Sequence, residues 1–102
     1  MKVDLYPNEV VVKAGNTSYT VNDNKIPGKL IVTNQRVYFK SVDNNTSSYD
    51  LEINPENISD VIYFGNGIFS SKGLDLLTND GKSYRFPLKK RDEIGLLINS
   101  MY

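Results

Sequence analysis

The chain has 102 residues, with 12 Lys or Arg balanced by 12 Asp or Glu, and it contains neither Cys nor His. Its length suits one domain, so residues 1–102 are expected to form a single unit. Without Cys and His, disulfides, thiol nucleophiles, histidine-based triads and ordinary zinc sites are excluded. The formal net charge of zero argues against nucleic acid as a partner, because such proteins present clustered positive charge.

No stretch of the sequence approaches the roughly 20 apolar residues of a membrane span. The first residues also lack the apolar core of a signal peptide. The expectation is therefore a soluble, cytoplasmic protein.

The first third of the chain predicts short β-strands separated by polar turns. A valine-rich run predicts a strand over residues 9–13, Ala14-Gly15-Asn16 supplies a turn, and residues 17–21 predict a return strand. Residues 22–28 form a polar loop in this interpretation, because Pro27-Gly28 interrupts the pattern.

The clearest local signal is a hairpin over residues 28–41. Asn34-Gln35 fits a two-residue turn in which Asn34 adopts the left-handed conformation. Apolar side chains alternate on both strands, namely Leu30, Val32, Val37 and Phe39.

Further strands are predicted over residues 49–53 and 58–64. A second hairpin joins residues 73–78 to 82–88 around Asn79-Asp80-Gly81, which is the strongest turn signal in the chain. Within the last of these strands, Pro87 is expected at the strand end or at the edge of the sheet, because proline cannot donate a ladder hydrogen bond.

From Lys89 onward the apolar period changes from two to that of a helix. One helical stripe contains Ile94, Leu97, Ile98 and Met101. Six or seven strands followed by one helix predict an open antiparallel barrel that the helix covers at one end. The predicted core is Val11, Leu30, Val32, Val37, Phe39, Leu51, Ile62, Leu76, Tyr84, Phe86, Leu97 and Ile98.

The run Gly28-Lys29-Leu30-Ile31-Val32-Thr33-Asn34-Gln35-Arg36-Val37-Tyr38-Phe39 resembles the signature of the GRAM domain family. That signature has a Gly, an apolar strand, Thr-Asn, a variable residue, an Arg and an apolar-aromatic strand. The apolar pair Ile58 and Val61 and the segment Tyr84-Arg85-Phe86 also match positions of the family.

The resemblance implies the pleckstrin-homology-like (PH-like) fold, which is mainly β. This fold has two near-orthogonal antiparallel sheets of about seven strands, with one C-terminal α-helix capping an end. It also implies a small bacterial-type member. Eukaryotic members of the family associate with membranes or phosphoinositides, whereas some small bacterial relatives resemble assembly modules.

The resemblance makes four basic residues candidates for lipid or anion binding. PH-type sites use Lys and Arg on and between the first two barrel strands, which here gives Lys25, Lys29, Arg36 and Lys40. For Arg36 the favoured alternative is structural, since its planar guanidinium can hold a turn or a carboxylate.

Two further surfaces are candidates for contacts. Ile68 and Phe69 lie in a Gly/Ser-rich stretch, either as an exposed partner contact or as the start of a strand that packs into the barrel mouth. Lys89-Lys90-Arg91 is the densest positive run, either a contact for an acidic surface or an ordinary solvated face.

Catalytic chemistry has little support in this sequence. Asp50 and Glu52 fall on one strand face, where a solvated polar surface is the favoured interpretation over a catalytic pair. We therefore expect a non-enzymatic binding or assembly module, without a metal, cofactor or small-molecule substrate. A protein partner or self-association is favoured, and the alternative is peripheral binding to an anionic, phosphoinositide-like membrane.

Overall fold

The computed structural model describes residues 5–43, 49–65 and 72–101. Within these ranges, seven strands form two antiparallel sheets and one α-helix follows them, which confirms the mainly β fold class. The strands are β1 (Val11–Val21), β2 (Asn24–Thr33), β3 (Val37–Ser41), β4 (Leu51–Ile53), β5 (Ile58–Phe64), β6 (Gly73–Thr78) and β7 (Ser83–Pro87), and the helix is α1 (Arg91–Asn99). The first sheet has the order β1-β2-β3-β4, and the second has the order β5-β6-β7.

The first hairpin differs from the prediction. Strand β1 runs without interruption through Ala14-Gly15-Asn16, and β2 already begins at Asn24, so the predicted turn and the predicted loop over 22–28 are both wrong. The chain reverses instead at Asn22 and Asp23, whose φ angles are 49° and 67°. Two consecutive left-handed residues give the turn that best matches the twist of paired strands.

Gly15 and Gly28 resemble turn residues in the sequence, but in the structure they lie within strands where other side chains pack closely against the backbone. A Cβ added at Gly15 would lie 3.1 Å from Ile94 and 3.2 Å from Leu88. A Cβ added at Gly28 would lie 2.8 Å from the ring of Phe39. Glycine inside a strand allows this approach of a neighbouring element.

The hairpin between β2 and β3 has the predicted two-residue connection. The amide of Thr33 donates to the carbonyl of Arg36 at 2.9 Å across Asn34-Gln35. Asn34 does not have a positive φ, so its predicted left-handed conformation is wrong. Its side chain instead accepts a hydrogen bond from the amide of Val10 at 2.8 Å, which ties the turn to the N-terminal segment.

The three strands of the second sheet agree closely with the prediction. Strands β5 and β6 have the expected bounds, and β7 is one residue shorter at each end. Gly81 has a φ of 85° in the turn between β6 and β7, as its turn pattern predicts. Pro87 is the last residue of β7, so the prediction of a strand-end position is confirmed.

The core lies between the two sheets and the helix, and most of the predicted core is confirmed. The fully buried members are Leu30, Val32, Val37, Phe39, Leu76, Phe86 and Ile98, and the partly buried members packed against them are Leu51, Tyr84 and Leu97. Val11 and Ile62 are wrong, because 43% and 44% of their surfaces are exposed.

Register shifts explain the two wrong assignments. In β5 the pairing with β6 shifts between Ile58 and Asp60, so the buried residues Ile58 and Val61 are three positions apart. The shift turns Ile62 outward. In β1 the pairing with β2 shifts between Val11 and Lys13, at the exposed start of the strand.

The helix buries the predicted stripe. Ile94 and Ile98 are fully buried, while Leu97 and Met101 pack against the core from its margin. The helix begins at Arg91, two residues later than predicted, and Lys90 precedes it without a capping side-chain hydrogen bond.

Candidate functional site

A groove of about 930 Å³ runs along the outer side of the first hairpin. In β2, Ile26 and Leu30 point into the core, so the alternate residues Lys25, Pro27 and Lys29 point outward. Ala14–Ser18 of the neighbouring strand β1 also line this groove. The alternation of β2 thus places two lysines on one wall.

The other wall comes from one end of the second sheet, where β6 begins and β7 ends. Lys72 lies before β6, and Lys89 and Lys90 lie between β7 and the helix. The amide of Leu88 donates to the carbonyl of Lys72 at 2.8 Å, which holds these two segments together. Thr17 Oγ1 donates to the carbonyl of Pro87 at 2.6 Å and ties this wall to β1.

The groove has a consistent electrostatic character. Five of the described lysines line it, namely Lys25, Lys29, Lys72, Lys89 and Lys90. None of its described lining residues is acidic. Their side chains form no ion pair with any carboxylate in the described ranges. The start of α1 adjoins them and adds the positive end of a helix dipole. The arrangement favours a negatively charged ligand.

Arg36 lies away from this groove. Only 4% of its side chain is exposed, and its Nε donates to Glu9 Oε2 at 2.8 Å while Nη2 donates to Glu9 Oε1 at 3.0 Å. Its guanidinium carbon lies 4.1 Å from the ring centroid of Tyr6 and 4.8 Å from that of Tyr38. The structure therefore gives Arg36 a carboxylate and two aromatic rings as neighbours.

The carboxylate of Glu9 is strongly stabilised in its charged form. The hydrogen bond from Arg36 is the main cause, and those from the Thr33 hydroxyl and the Tyr6 amide add to it, so the pKa of Glu9 falls to about 2 despite burial. Thr33 Oγ1 donates to Glu9 Oε2 at 2.6 Å. The Thr-x-x-Arg part of the hairpin signature thus anchors the segment before β1.

Lys40 also has an internal counter-charge. It lies opposite Lys29 across β2 and β3, as the hairpin register predicts, but its Nζ donates to Asp50 Oδ2 at 2.7 Å. Although burial opposes ionisation, the hydrogen bonds from Lys40 and Ser41 prevail and hold the pKa of Asp50 below its usual value. Among the four predicted basic residues, Lys25 and Lys29 line the groove, whereas Arg36 and Lys40 do not.

The two carboxylates considered for catalysis have separate neighbours. Asp50 binds Lys40, while Glu52 accepts from the hydroxyl of Tyr6 at 2.8 Å and lies 3.4 Å from Arg36. No group of three potential metal ligands occurs in residues 5–43, 49–65 and 72–101.

A second, smaller cavity of about 470 Å³ has the opposite character. Glu52 and Asp80 line it together with Asn54, Asn57 and Asn79, and no lysine or arginine belongs to its described lining. A hydrogen bond from the Thr78 hydroxyl lowers the pKa of Asp80, so this carboxylate is charged at neutral pH. The acidic cavity lies near the start of β7, and the lysine groove lies near its end.

The predicted contact residues Ile68 and Phe69 lie outside the described residues. The two described residues that flank them, Gly65 and Lys72, have different surroundings. Arg91 Nη1 donates to the carbonyl of Gly65 at 3.0 Å, and Lys72 lines the groove itself.

Sequence reasoning found most of the groove in separate pieces. Lys25 and Lys29 were candidates through the family resemblance, and Lys89-Lys90 stood out as a positive run. Lys72 was missed, because an isolated lysine gives no signal until the fold brings it beside Leu88.

Comparison with known proteins gives the fold class. The structure is similar to the C-terminal domain of an unknown protein from Leishmania infantum, with a TM-score of 0.75 and 17% identity over 91% of this chain and 84% of that one. It is also similar to the Vps36 N-terminal PH domain, with a TM-score of 0.66 and 19% identity over 95% of this chain and 79% of that one. The fold is therefore PH-like, as the sequence resemblance implies.

Sequence comparison adds no closer relationship. No family model matches the chain, and no curated protein matches it. In the described ranges, no helix has both the length and the hydropathy that crossing a bilayer requires.

Proposed function

We propose that this protein is a binding module without catalytic activity that recognises an anionic partner through the lysine groove. The observation that supports this most is the lining itself, in which five described lysines occur without an acidic residue. A protein partner is the favoured class, and an anionic lipid surface is the alternative. We also propose that the chain is a divergent, bacterial-type GRAM domain, on the strength of its signature at residues 28–39.

The physical basis of the proposal is electrostatic. Like charges gathered around one groove repel each other, so an anion that enters it relieves this repulsion as well as forming new attractions. Arg36 and Lys40 are not part of the proposed site, because Glu9 and Asp50 already face them. The proposed site therefore contains Lys25, Lys29, Lys72, Lys89 and Lys90.

A class-neutral probe tests whether the groove binds anions. We suggest titrating the ¹⁵N-labelled protein with inorganic tripolyphosphate and following the backbone amide resonances, with sodium chloride at equal ionic strength as the control. The expected shifts are concentrated in the amides of residues 14–18, 25–26, 28–29 and 88–90, since Pro27 and Pro87 have no amide hydrogen. Shifts that do not exceed those of the salt control would contradict the proposal.

Matched variants separate the groove from general charge effects. Lys25→Gln with Lys29→Gln removes two groove charges, while Lys82→Gln removes an exposed lysine near the acidic cavity, where Lys82 lies 4.0 Å from Asp80. We expect the double variant to weaken tripolyphosphate binding and the Lys82 variant to leave it unchanged. Because the double variant removes two charges and the control removes one, an equal loss of binding free energy per charge removed would mean that only overall charge matters.

The alternative, peripheral lipid binding, is tested by flotation with vesicles of phosphatidylcholine containing phosphatidylserine. Salt-sensitive binding that requires Lys25 and Lys29 would favour it. Ile68 and Phe69 are a proposed additional contact, so Phe69→Ser is expected to reduce vesicle binding.

A second copy of the chain is one form of protein partner. Sedimentation velocity over a wide concentration range tests it, and a constant monomer would leave a different protein as the expected partner.

A further inference from the structure

We infer that the lysine groove accepts an extended acidic polypeptide segment, which adds along the edge of β1 opposite β2. This inference rests on the proposed function and names the class of ligand for the same site.

The spacing of charges on β2 favours an extended chain over a single small anion. Lys25 and Lys29 lie four positions apart on the same face of a strand, which separates their Cα atoms by roughly 13 Å. Side chains four positions apart on an extended peptide have the same separation. Acidic residues along such a peptide therefore match both lysines, whereas one phosphate group is too small to lie beside both Cα positions.

The groove offers positive charge from two sides. Lys72, Lys89 and Lys90 line it from the second sheet and the start of the helix, opposite the contribution of Lys25 and Lys29 from β2. Acidic side chains that project from one face of an extended polypeptide can then contact lysines of both walls. A flat bilayer favours basic side chains that project toward one plane, so the observations favour the peptide.

Strand β1 provides a backbone edge beside these charges. It is the terminal strand of its sheet, with β2 as its hydrogen-bonded neighbour in the described structure. Residues 14–18 of this strand belong to the groove lining, and Thr17 contacts the carbonyl of Pro87 through its side-chain hydroxyl. The outer edge of a terminal strand presents amide and carbonyl groups that an added strand can pair with, and such pairing supplies affinity without side-chain specificity.

The remaining lining suggests a sequence pattern for the peptide. Ala14, Pro27 and Pro87 contribute apolar surface between the lysines. Successive side chains of an extended segment point in opposite directions. The best ligand is therefore one in which acidic residues alternate with small apolar residues.

Fluorescence anisotropy with a labelled peptide of alternating glutamate and valine tests the inference. Three controls are a peptide with glutamine in place of glutamate, a peptide N-methylated at alternate amides, and vesicles containing phosphatidylserine. The protein variants are Lys25→Gln with Lys29→Gln and, as a control away from the groove, Lys82→Gln. Thermal unfolding of each variant establishes that it is folded.

The expected result is salt-sensitive binding of the glutamate peptide that the double variant weakens about tenfold or more, while Lys82→Gln leaves it unchanged. Both the glutamine peptide and the N-methylated peptide should bind more weakly. Undiminished binding of the N-methylated peptide would overturn strand addition.

The outcomes also separate this inference from the proposed function. Vesicle binding that requires Lys25 and Lys29, without peptide binding, would overturn the inference and leave the anion-binding function standing. If peptide, vesicles and tripolyphosphate all fail to bind, both the inference and the proposed function are overturned.

Discussion

Arg36 is a residue whose role depends on the carboxylate that faces it. Its ion pair with Glu9 is buried at both ends, with side-chain exposures of 4% for Arg36 and 0% for Glu9. Removing one member of a buried pair leaves the other charge without compensation. The arginine of the hairpin signature therefore contributes to stability through the segment it holds.

The first prediction is that Glu9→Gln lowers the free energy of unfolding by about 3 kcal/mol at neutral pH, because it removes the buried counter-charge of Arg36 and leaves the partly exposed carboxylate of Glu52, 3.4 Å away, in its place. Urea denaturation measures this loss. Glu93→Gln is the control, because Glu93 forms an ion pair with Lys13 at the solvent-exposed surface, and the loss of such a pair should cost much less. Equal losses for the two variants would contradict the prediction.

The second prediction concerns the pH dependence of the same pair. The pKa of Glu9 is about 2 in the folded protein, against 4.5 for an ordinary glutamate. A group with a lowered folded pKa stabilises the protein above its unfolded pKa, and this stabilisation is lost as the pH falls toward the folded pKa. The contribution, about 3 kcal/mol, should therefore be complete above about pH 5 and disappear progressively toward pH 2.

The difference in unfolding free energy between the native protein and Glu9→Gln measures that contribution at each pH. It should stay constant from pH 7 to about pH 5 and narrow below pH 4. A difference that does not change down to pH 2 would show that the charge of Glu9 is not responsible.

The third prediction concerns Phe39 in the core. Its side chain is fully buried, and its ring centroid lies 5.8 Å from that of Tyr19 and 5.9 Å from that of Phe86. Phe39→Ala should lower the unfolding free energy by about 3–5 kcal/mol, because it removes buried surface and leaves a cavity. Ile62→Ala, at a position that is 44% exposed, is the comparison and should cost much less.

At the scale of elements, the alternation of apolar residues predicts where the strands lie, but it does not always predict which side of a strand is buried. The bounds of β5 and β6 agree with the prediction, yet Ile62 points outward because the register shift in β5 changes the order of buried positions. A shift of one residue reverses the faces of a strand beyond it. Nothing in the local sequence marks this shift, since Ile58, Val61 and Ile62 are all apolar.

The fourth prediction concerns the contact between the helix and β5. Gly95 is buried in α1, and an added Cβ there would collide with the ring of Tyr63. Gly95→Ala should therefore destabilise the protein, although alanine is favoured over glycine by about 1 kcal/mol in an ordinary helix. Thermal unfolding measures the effect.

A second substitution identifies the cause of that loss. Tyr63→Ala removes the ring, so adding Gly95→Ala to it should cost less than Gly95→Ala alone and should approach the stabilisation expected from helix propensity. Leu96→Ala is the control on the exposed side of the helix. If Gly95→Ala is neutral in the native background, the close contact with Tyr63 is excluded.

For the whole molecule, the sequence predicted the architecture and only pieces of the candidate site. Strand period, turn residues and the helical stripe are local, so they were visible in the sequence. The groove depends on tertiary contacts that bring Lys72 beside Leu88 and bring Pro87 beside Thr17. The sequence does not predict the full length of β1, because Gly15 and Asn16 resemble turn residues. In the structure Gly15 lies within the strand, where the absence of a side chain leaves space for Ile94 and Leu88.

The two cavities along β7 have a consequence for how the protein behaves in bulk. One is lined by lysines and the other contains Glu52 and Asp80, so the formal net charge of zero conceals a separation of charge within the molecule. A charged surface interacts most strongly with the nearest face of a protein, since the Coulomb energy falls with distance. At pH 7 and low salt the protein should therefore be retained on a cation-exchange resin despite its neutrality, and replacing Lys25 and Lys29 by glutamine should shorten that retention more than Lys82→Gln.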